Sequence, residues 1–168
     1  SCIACQLCIS ACPTKVLQPS FLEYGFTGMM LPQMMNTIAF CNYDCTICSE
    51  VCPTGALVPL TVEKKKATQI GRVFLTIDLC VVKTKEKSCG SCSEHCPTQA
   101  VYMVPYKDFL TIPETNPDIC VGCGACEHVC PVEIPHAAIY VLPNRIHKEA
   151  LKPVTEKVVV KESEDFPF

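Results

Sequence analysis

An α+β fold of two small, loop-rich units with short helices and short β-hairpins is what the amino-acid sequence predicts, and three observations predict it. Sixteen cysteines fall into four quartets, each closed by a Cys-Pro step and most followed by a turn and a short β-forming run. The last cysteines of the quartets, Cys12, Cys52, Cys96 and Cys130, stand 34 to 44 residues apart, so the chain is a fourfold internal repeat and two repeats make one unit. Fourteen prolines outnumber seven glycines, a balance that breaks up long elements.

The 168 residues are enough for one ordinary domain or two small ones. Their 49% hydrophobic content overstates the core, because it counts the cysteines, Trp is absent and aromatics make up 7%. Something inorganic must stand in for part of the missing apolar interior. A formal net charge of −3 gives no sign of the clustered basic surface that nucleic-acid binding favours. No run of about 18 apolar residues occurs, so nothing in this sequence spans a membrane as a helix.

The fourth quartet has the plainest spacing: Cys120-Val-Gly-Cys123-Gly-Ala-Cys126-Glu-His-Val-Cys130-Pro131. The pattern C-x2-C-x2-C-x3-C-P suits a [4Fe–4S] cluster, since three thiolates on one tight loop reach three irons and the fourth turns to a neighbouring cluster. Cys2, Cys5, Cys8 and Cys12 repeat it without change. Cys41, Cys45, Cys48 and Cys52 carry one extra residue in the first gap, and Cys80, Cys89, Cys92 and Cys96 have eight residues in that gap. All sixteen cysteines are used and none is left over, which predicts four [4Fe–4S] clusters. A disulfide framework is the first rival, but such frameworks belong mostly to chains under about 100 residues with irregular spacings. Zinc is the second, and zinc sites favour paired C-x2-C knuckles, often with His.

Taken in order, Thr14–Pro19 is a short helical turn or strand ended by Pro19. Residues 20–40 hold four of the five methionines and read as a loop packed over a cluster, with an adaptable partner or lipid surface as the alternative. Thr54–Leu60 is expected to be turn plus strand, and Glu63-Lys-Lys-Lys66 a solvated loop rather than a lipid-binding patch. Arg72–Asp78 is the clearest strand. The insertion Val81–Ser88 is charged and expected to be exposed. Thr98–Val104 and Asp108–Ile112 read as a strand and its return, as do Ala137–Leu142 and Arg145–His147 about a Pro143-Asn144 turn. His95 and His128, each close to a fourth cysteine, are expected to be exposed loop residues rather than groups tuning a cluster. The residues from Leu151 to Phe168 form a tail without a clear partner.

The run from Cys2-Ile-Ala-Cys-Gln-Leu-Cys8 through Cys12-Pro-Thr-Lys-Val-Leu-Gln-Pro19, with the four-quartet layout over residues 2–131, resembles the bacterial polyferredoxins. It is most similar to the ferredoxin-type electron-transfer proteins of periplasmic nitrate reduction and methylamine utilisation. The resemblance implies two bacterial ferredoxin-like units, each built for two [4Fe–4S] clusters. In the wider group it belongs to, quartets pair in a nested way, first with fourth and second with third. On that pairing Cys130 joins Cys2, Cys5 and Cys8, while Cys12 joins Cys120, Cys123 and Cys126; Cys96 joins Cys41, Cys45 and Cys48, while Cys52 joins Cys80, Cys89 and Cys92. Residues 1–40 with 105–150 would then form an outer unit, 41–104 an inner one and 151–168 a tail. Sequential pairing is the rival, and the link from third to fourth quartet suits it too.

No nucleophile–base constellation and no glycine-rich phosphate loop occurs, so no catalytic residue is assigned. The expected function is one-electron relay between a redox donor and acceptor, a quinone-linked membrane subunit being one candidate. The alternatives are an electron-input domain of a multi-cofactor oxidoreductase, and a protein whose clusters are partly structural or regulatory. Because the sequence opens on Ser1-Cys2, a fragment of a larger, membrane-associated polypeptide is expected.

Overall fold

The computed structural model describes residues 1–132 and 136–151. Apart from Leu151, the predicted tail with its Lys157–Lys161 stretch lies outside the described residues.

The first quartet loop enters α1 (Leu7–Ala11), and Cys12 closes it in extended backbone, so the Cys-Pro step stops the helix after five residues. Strand β1 (Leu17–Pro19) pairs antiparallel with β2 (Pro32–Met34), Leu17 opposite Met34. The methionine-rich segment is therefore the turn and return strand of a hairpin. Met29, Met30 and Met35 are exposed, so the expected cover over a cluster is not made by them.

The second quartet loop carries α2 (Ile47–Glu50). Residues 57–60 are not a strand, contrary to expectation. The lysine run is not a loop either: it forms α3 (Val62–Ala67), whose Thr61 side chain accepts from the Lys64 N–H as an N-cap. Then β3 (Thr68–Leu75) follows, with Gln69, Gly71 and Val73 buried at every second position.

In the third quartet the eight-residue gap folds as α4 (Val81–Lys85). Its charged residues are exposed as expected, but Val82 is fully buried and anchors it against Cys80 and Ala138. Helix α5 (Ser91–Glu94) precedes the hairpin of β4 (Val101–Pro105) and β5 (Thr111–Thr115). Helix α6 (Ala125–His128) belongs to the fourth quartet, and β6 (Ile139–Glu149) is the last strand of the described chain.

β6 is one strand rather than the predicted hairpin. It pairs with β3 from Leu75↔Ile139 to Gly71↔Pro143, breaks register, and resumes at Gln69↔Lys148. Pro143-Asn144 sits at that irregularity, where the Asn144 side-chain amide donates to Gln69 O at 3.3 Å.

Among the described residues the strands form three two-stranded sheets, β1–β2, β3–β6 and β4–β5. Strands β3 and β6 flank the third and fourth quartets, and β4–β5 lies between them, so among the described residues these elements group as one unit. The first and second quartets share the β1–β2 hairpin as the other. The main core lies inside the second unit, with Val73, Ala100, Val101, Cys120, Cys126 and Ile139 packed together. A smaller patch of Val121, Cys123 and Ala125 packs against Phe40, Cys41 and Tyr43, joining the units.

Candidate metal centres

Each quartet follows one local plan. The third cysteine, Cys8, Cys48, Cys92 or Cys126, sits on a helix of about one turn, and the fourth follows it into the Cys-Pro step. Helices this short cannot persist by backbone hydrogen bonding alone, so the sulfurs and their packing hold them.

The sulfurs converge across neighbouring quartets. Cys80, Cys89, Cys92 and Cys130 line one small apolar cavity with Leu75 and Ile139. Cys96 lies close enough to Cys120, Cys123 and Cys126 to push each thiol's pKa upward. In the other half, Cys12 lines a cavity of about 690 Å³ with Cys41, Cys45 and Cys48. Cys2, Cys5 and Cys8 are close enough for the first two to raise the third. The contacts of Cys52 are local: the Leu57 N–H donates to its sulfur at 3.4 Å and the Thr54 hydroxyl stands 3.7 Å away. Cys130 thus shares its cavity with cysteines of the third quartet, and Cys96 neighbours those of the fourth.

The chemistry of this donor set fits an iron–sulfur cluster. Burial pushes the Cys92 thiol up to about 12, with Cys89 and Cys80 adding to it, and pushes Cys123 up to about 11. Cys126, also buried, is raised further by Cys123 and Cys120. Buried thiols such as Cys92, Cys123 and Cys126 stay protonated at neutral pH unless a cationic group takes the place of the protons, which is what ferric and ferrous iron do. Among the described residues no three Cys, His, Asp or Glu converge closely enough to hold a single metal ion.

Several groups aim at the sulfurs. The Gly122 N–H donates to Cys120 at 3.3 Å and the Ala4 N–H to Cys2 at 3.5 Å. Thr14, Thr54 and Thr98 place their hydroxyls 3.6 to 3.7 Å from Cys12, Cys52 and Cys96. Their signal is Cys-Pro-Thr, present in three quartets and replaced by Cys-Pro-Val at Cys130. Lys65 Nζ donates to the Cys41 sulfur at 3.5 Å, a contact that reading the lysine run as a solvated loop misses. Burial raises the Cys41 thiol, and Lys65 opposes that rise. His95 and His128 are exposed as expected; the first faces Ser91 O at 2.9 Å and the second packs on Phe40 with ring centroids 5.6 Å apart.

Between the units, the Cys41 N–H donates to Cys123 O at 2.9 Å. Beside it the Asn36 amide donates to Glu127 Oε2 at 3.0 Å, and the same oxygen accepts from the Val141 N–H at 2.8 Å.

Paired cysteine loops on short hairpins around sulfur-lined pockets define an iron–sulfur protein that moves electrons. Two dicluster-domain profiles, both described as "4Fe-4S dicluster domain", match residues 1–57 and 87–134. The "Methylamine utilization ferredoxin-type protein MauM" of Methylophilus methylotrophus is 33% identical over 153 residues, covering 87% of this chain and 66% of the relative. The protein of the same description from Methylorubrum extorquens is 31% identical over 153 residues, 87% of this chain and 67% of the relative. "Ferredoxin-type protein NapG" of Escherichia coli is 28% identical over 159 residues, 90% of this chain and 68% of the relative. The chain belongs to this family of ferredoxin-type iron–sulfur electron-transfer proteins, and it spans about two thirds of the length of these relatives. Its cofactors are [4Fe–4S] clusters. Among the described residues no helix is long and apolar enough to cross a membrane.

Proposed function

We propose that the chain is a four-centre relay for single electrons, with no substrate site of its own, and that its quartets pair sequentially. Cys41, Cys45 and Cys48 with Cys12 would hold one cluster, and Cys2, Cys5 and Cys8 with Cys52 its reciprocal. Cys80, Cys89 and Cys92 with Cys130 would hold a third, and Cys120, Cys123 and Cys126 with Cys96 the fourth. The bound clusters accept and release one electron each without bond rearrangement. The protein's own part is to exclude water, set the potentials and fix the order of transfer.

The observation that carries this reading is the meeting of fourth cysteines with the neighbouring quartet, Cys130 in the pocket of Cys80, Cys89 and Cys92 above all. Contacts between the sets support a linear order. Cys8 neighbours Cys48, Cys41 bonds through its N–H to Cys123, and Cys92 neighbours Cys126. The order is then first, second, fourth, third quartet. At the first end Cys2 and Cys5 are exposed beside exposed Ile3 and Leu7, which suits the approach of a redox protein through an apolar face. A quinone-linked membrane subunit is the partner class we favour for one end, and with it a membrane-associated location.

Iron and acid-labile sulfide per chain after anaerobic purification test the count: four clusters give about sixteen of each, and about eight would refute it. Redox titration followed by EPR then counts the centres that cycle, and fewer than four would refute a complete relay.

A further inference from the structure

We infer that Lys65 is a positioning and tuning residue for the second quartet, its ammonium holding that centre at a higher potential than the chain would otherwise give it. The inference rests on the reading that Cys41 is a cluster ligand.

The three lysines of α3 do three different things. Lys64 is exposed to solvent. Lys66 lies over the Tyr43 ring, 5.2 Å from its centroid, and 3.8 Å from Asp44 Oδ2. Lys65 turns inward, lines the cavity of Cys12, Cys41, Cys45 and Cys48, and donates to the Cys41 sulfur. Among the described residues it has no carboxylate partner, unlike Lys66, Lys83 and Lys107.

That placement makes little sense toward a neutral thiol. A half-buried ammonium loses hydration, and thiol sulfur is a weak acceptor. Toward a thiolate on a negatively charged centre the same contact becomes a charge-assisted hydrogen bond. The sequence favours this geometry locally: the Thr61 cap sets the helix phase, and the Lys65 N–H bonds to Thr61 O at 2.8 Å.

The direction of the effect follows from charge. Reduction brings one electron to the centre, no bond forms or breaks, and the negative charge near Lys65 grows by one. A fixed positive charge stabilises the more negative state, so the midpoint rises. Cys41 is also the residue whose N–H reaches Cys123 across the unit boundary. The tuned centre therefore stands at the junction, and an electron crossing between the units rests there.

The test uses the full chain with its clusters assembled anaerobically, titrated electrochemically with EPR detection. Lys65→Met should lower the midpoint of one centre by at least about tenfold in its one-electron equilibrium, ~59 mV, leaving the others in place. Lys65→Gln should shift the same centre in the same direction, Lys65→Arg should stay near wild type, and Lys64→Met should shift it far less. If Lys65→Met fails to retain the centre, Lys65→Gln decides the matter. Unshifted midpoints in Lys65→Gln with all centres counted would overturn the inference. So would a shift in Lys64→Met equal to that in Lys65→Met, since the contact would then be irrelevant. Fewer than four centres in the wild type would instead count against the relay reading itself.

Discussion

Gly122 lies between the first two cysteines of the most buried quartet, and replacing it with alanine should dislodge that loop from the fold. Its φ of 78° is in the left-handed region, where a side chain costs about 1 kcal/mol or somewhat more. A Cβ there would also press on the Gly71 backbone of β3, 2.6 Å from its Cα, and Gly71 is itself fixed in register opposite Pro143 of β6. Overpacking of that kind adds roughly 1–3 kcal/mol, which makes the whole cost about 2–5 kcal/mol. Gly55 supplies the control, because its φ is 63° but nothing lies within 4 Å of a Cβ placed there. Gly55→Ala should therefore show the backbone cost alone, about 1 kcal/mol. For a chain of this size the midpoint of cluster-bleaching thermal unfolding should fall by roughly 10 °C in Gly122→Ala and by about 3 °C in Gly55→Ala. Equal shifts in the two variants, measured anaerobically at one scan rate, would refute the argument that close backbone approach fixes the loop.

Further outcomes bear on the pairing, the potentials and the role of iron in the fold. Cys130→Ser should alter the EPR signature of the same centre as Cys92→Ser; a match with Cys5→Ser would restore the nested pairing and sink the sequential one. Thr98→Val should lower the midpoint of the centre holding Cys96, and Val132→Thr should raise that of the centre holding Cys130, if hydroxyl donors stabilise the reduced state; opposite signs in the potentiometric titration would exclude this. Stripping iron with a chelator under reducing conditions should collapse the β3–β6 unit, since Cys120 and Cys126 sit in its main core; far-UV circular dichroism unchanged on stripping would contradict it. Asn36→Ala should leave the iron content intact and loosen the two units, seen as faster proteolysis between residues 53 and 62, because it removes the bond to Glu127.

The cysteine spacings made the four cysteine loops legible in the sequence, and β3, β4 and β5 followed from β-branched runs within a few residues of their observed bounds. The pairing of β3 with β6 was not legible, because Val73 and Phe74 would meet many apolar partners equally well before Tyr140 and Val141 are seen opposite them. The methionine-rich hairpin hid for a related reason: three-residue strands ending in Pro19 and starting at Pro32 carry almost no alternation. Lys65 was missed because composition alone places three lysines in water, whereas a capped helix turns one of them inward. Val82 was missed inside a charged insertion for the converse reason: one apolar residue is enough to anchor a turn.

The uneven burial of the cysteines bears on how the molecule ages. Cys2 and Cys5 are open to solvent, whereas Cys120, Cys123 and Cys126 are buried. Oxygen or peroxide reaches the first pair before the last three, so oxidation starts at Cys2 and Cys5. On the proposed relay, a sample that has met air would keep most of its colour and iron while losing the terminal step, and its brown absorbance would be a poor guide to whether current still flows through it.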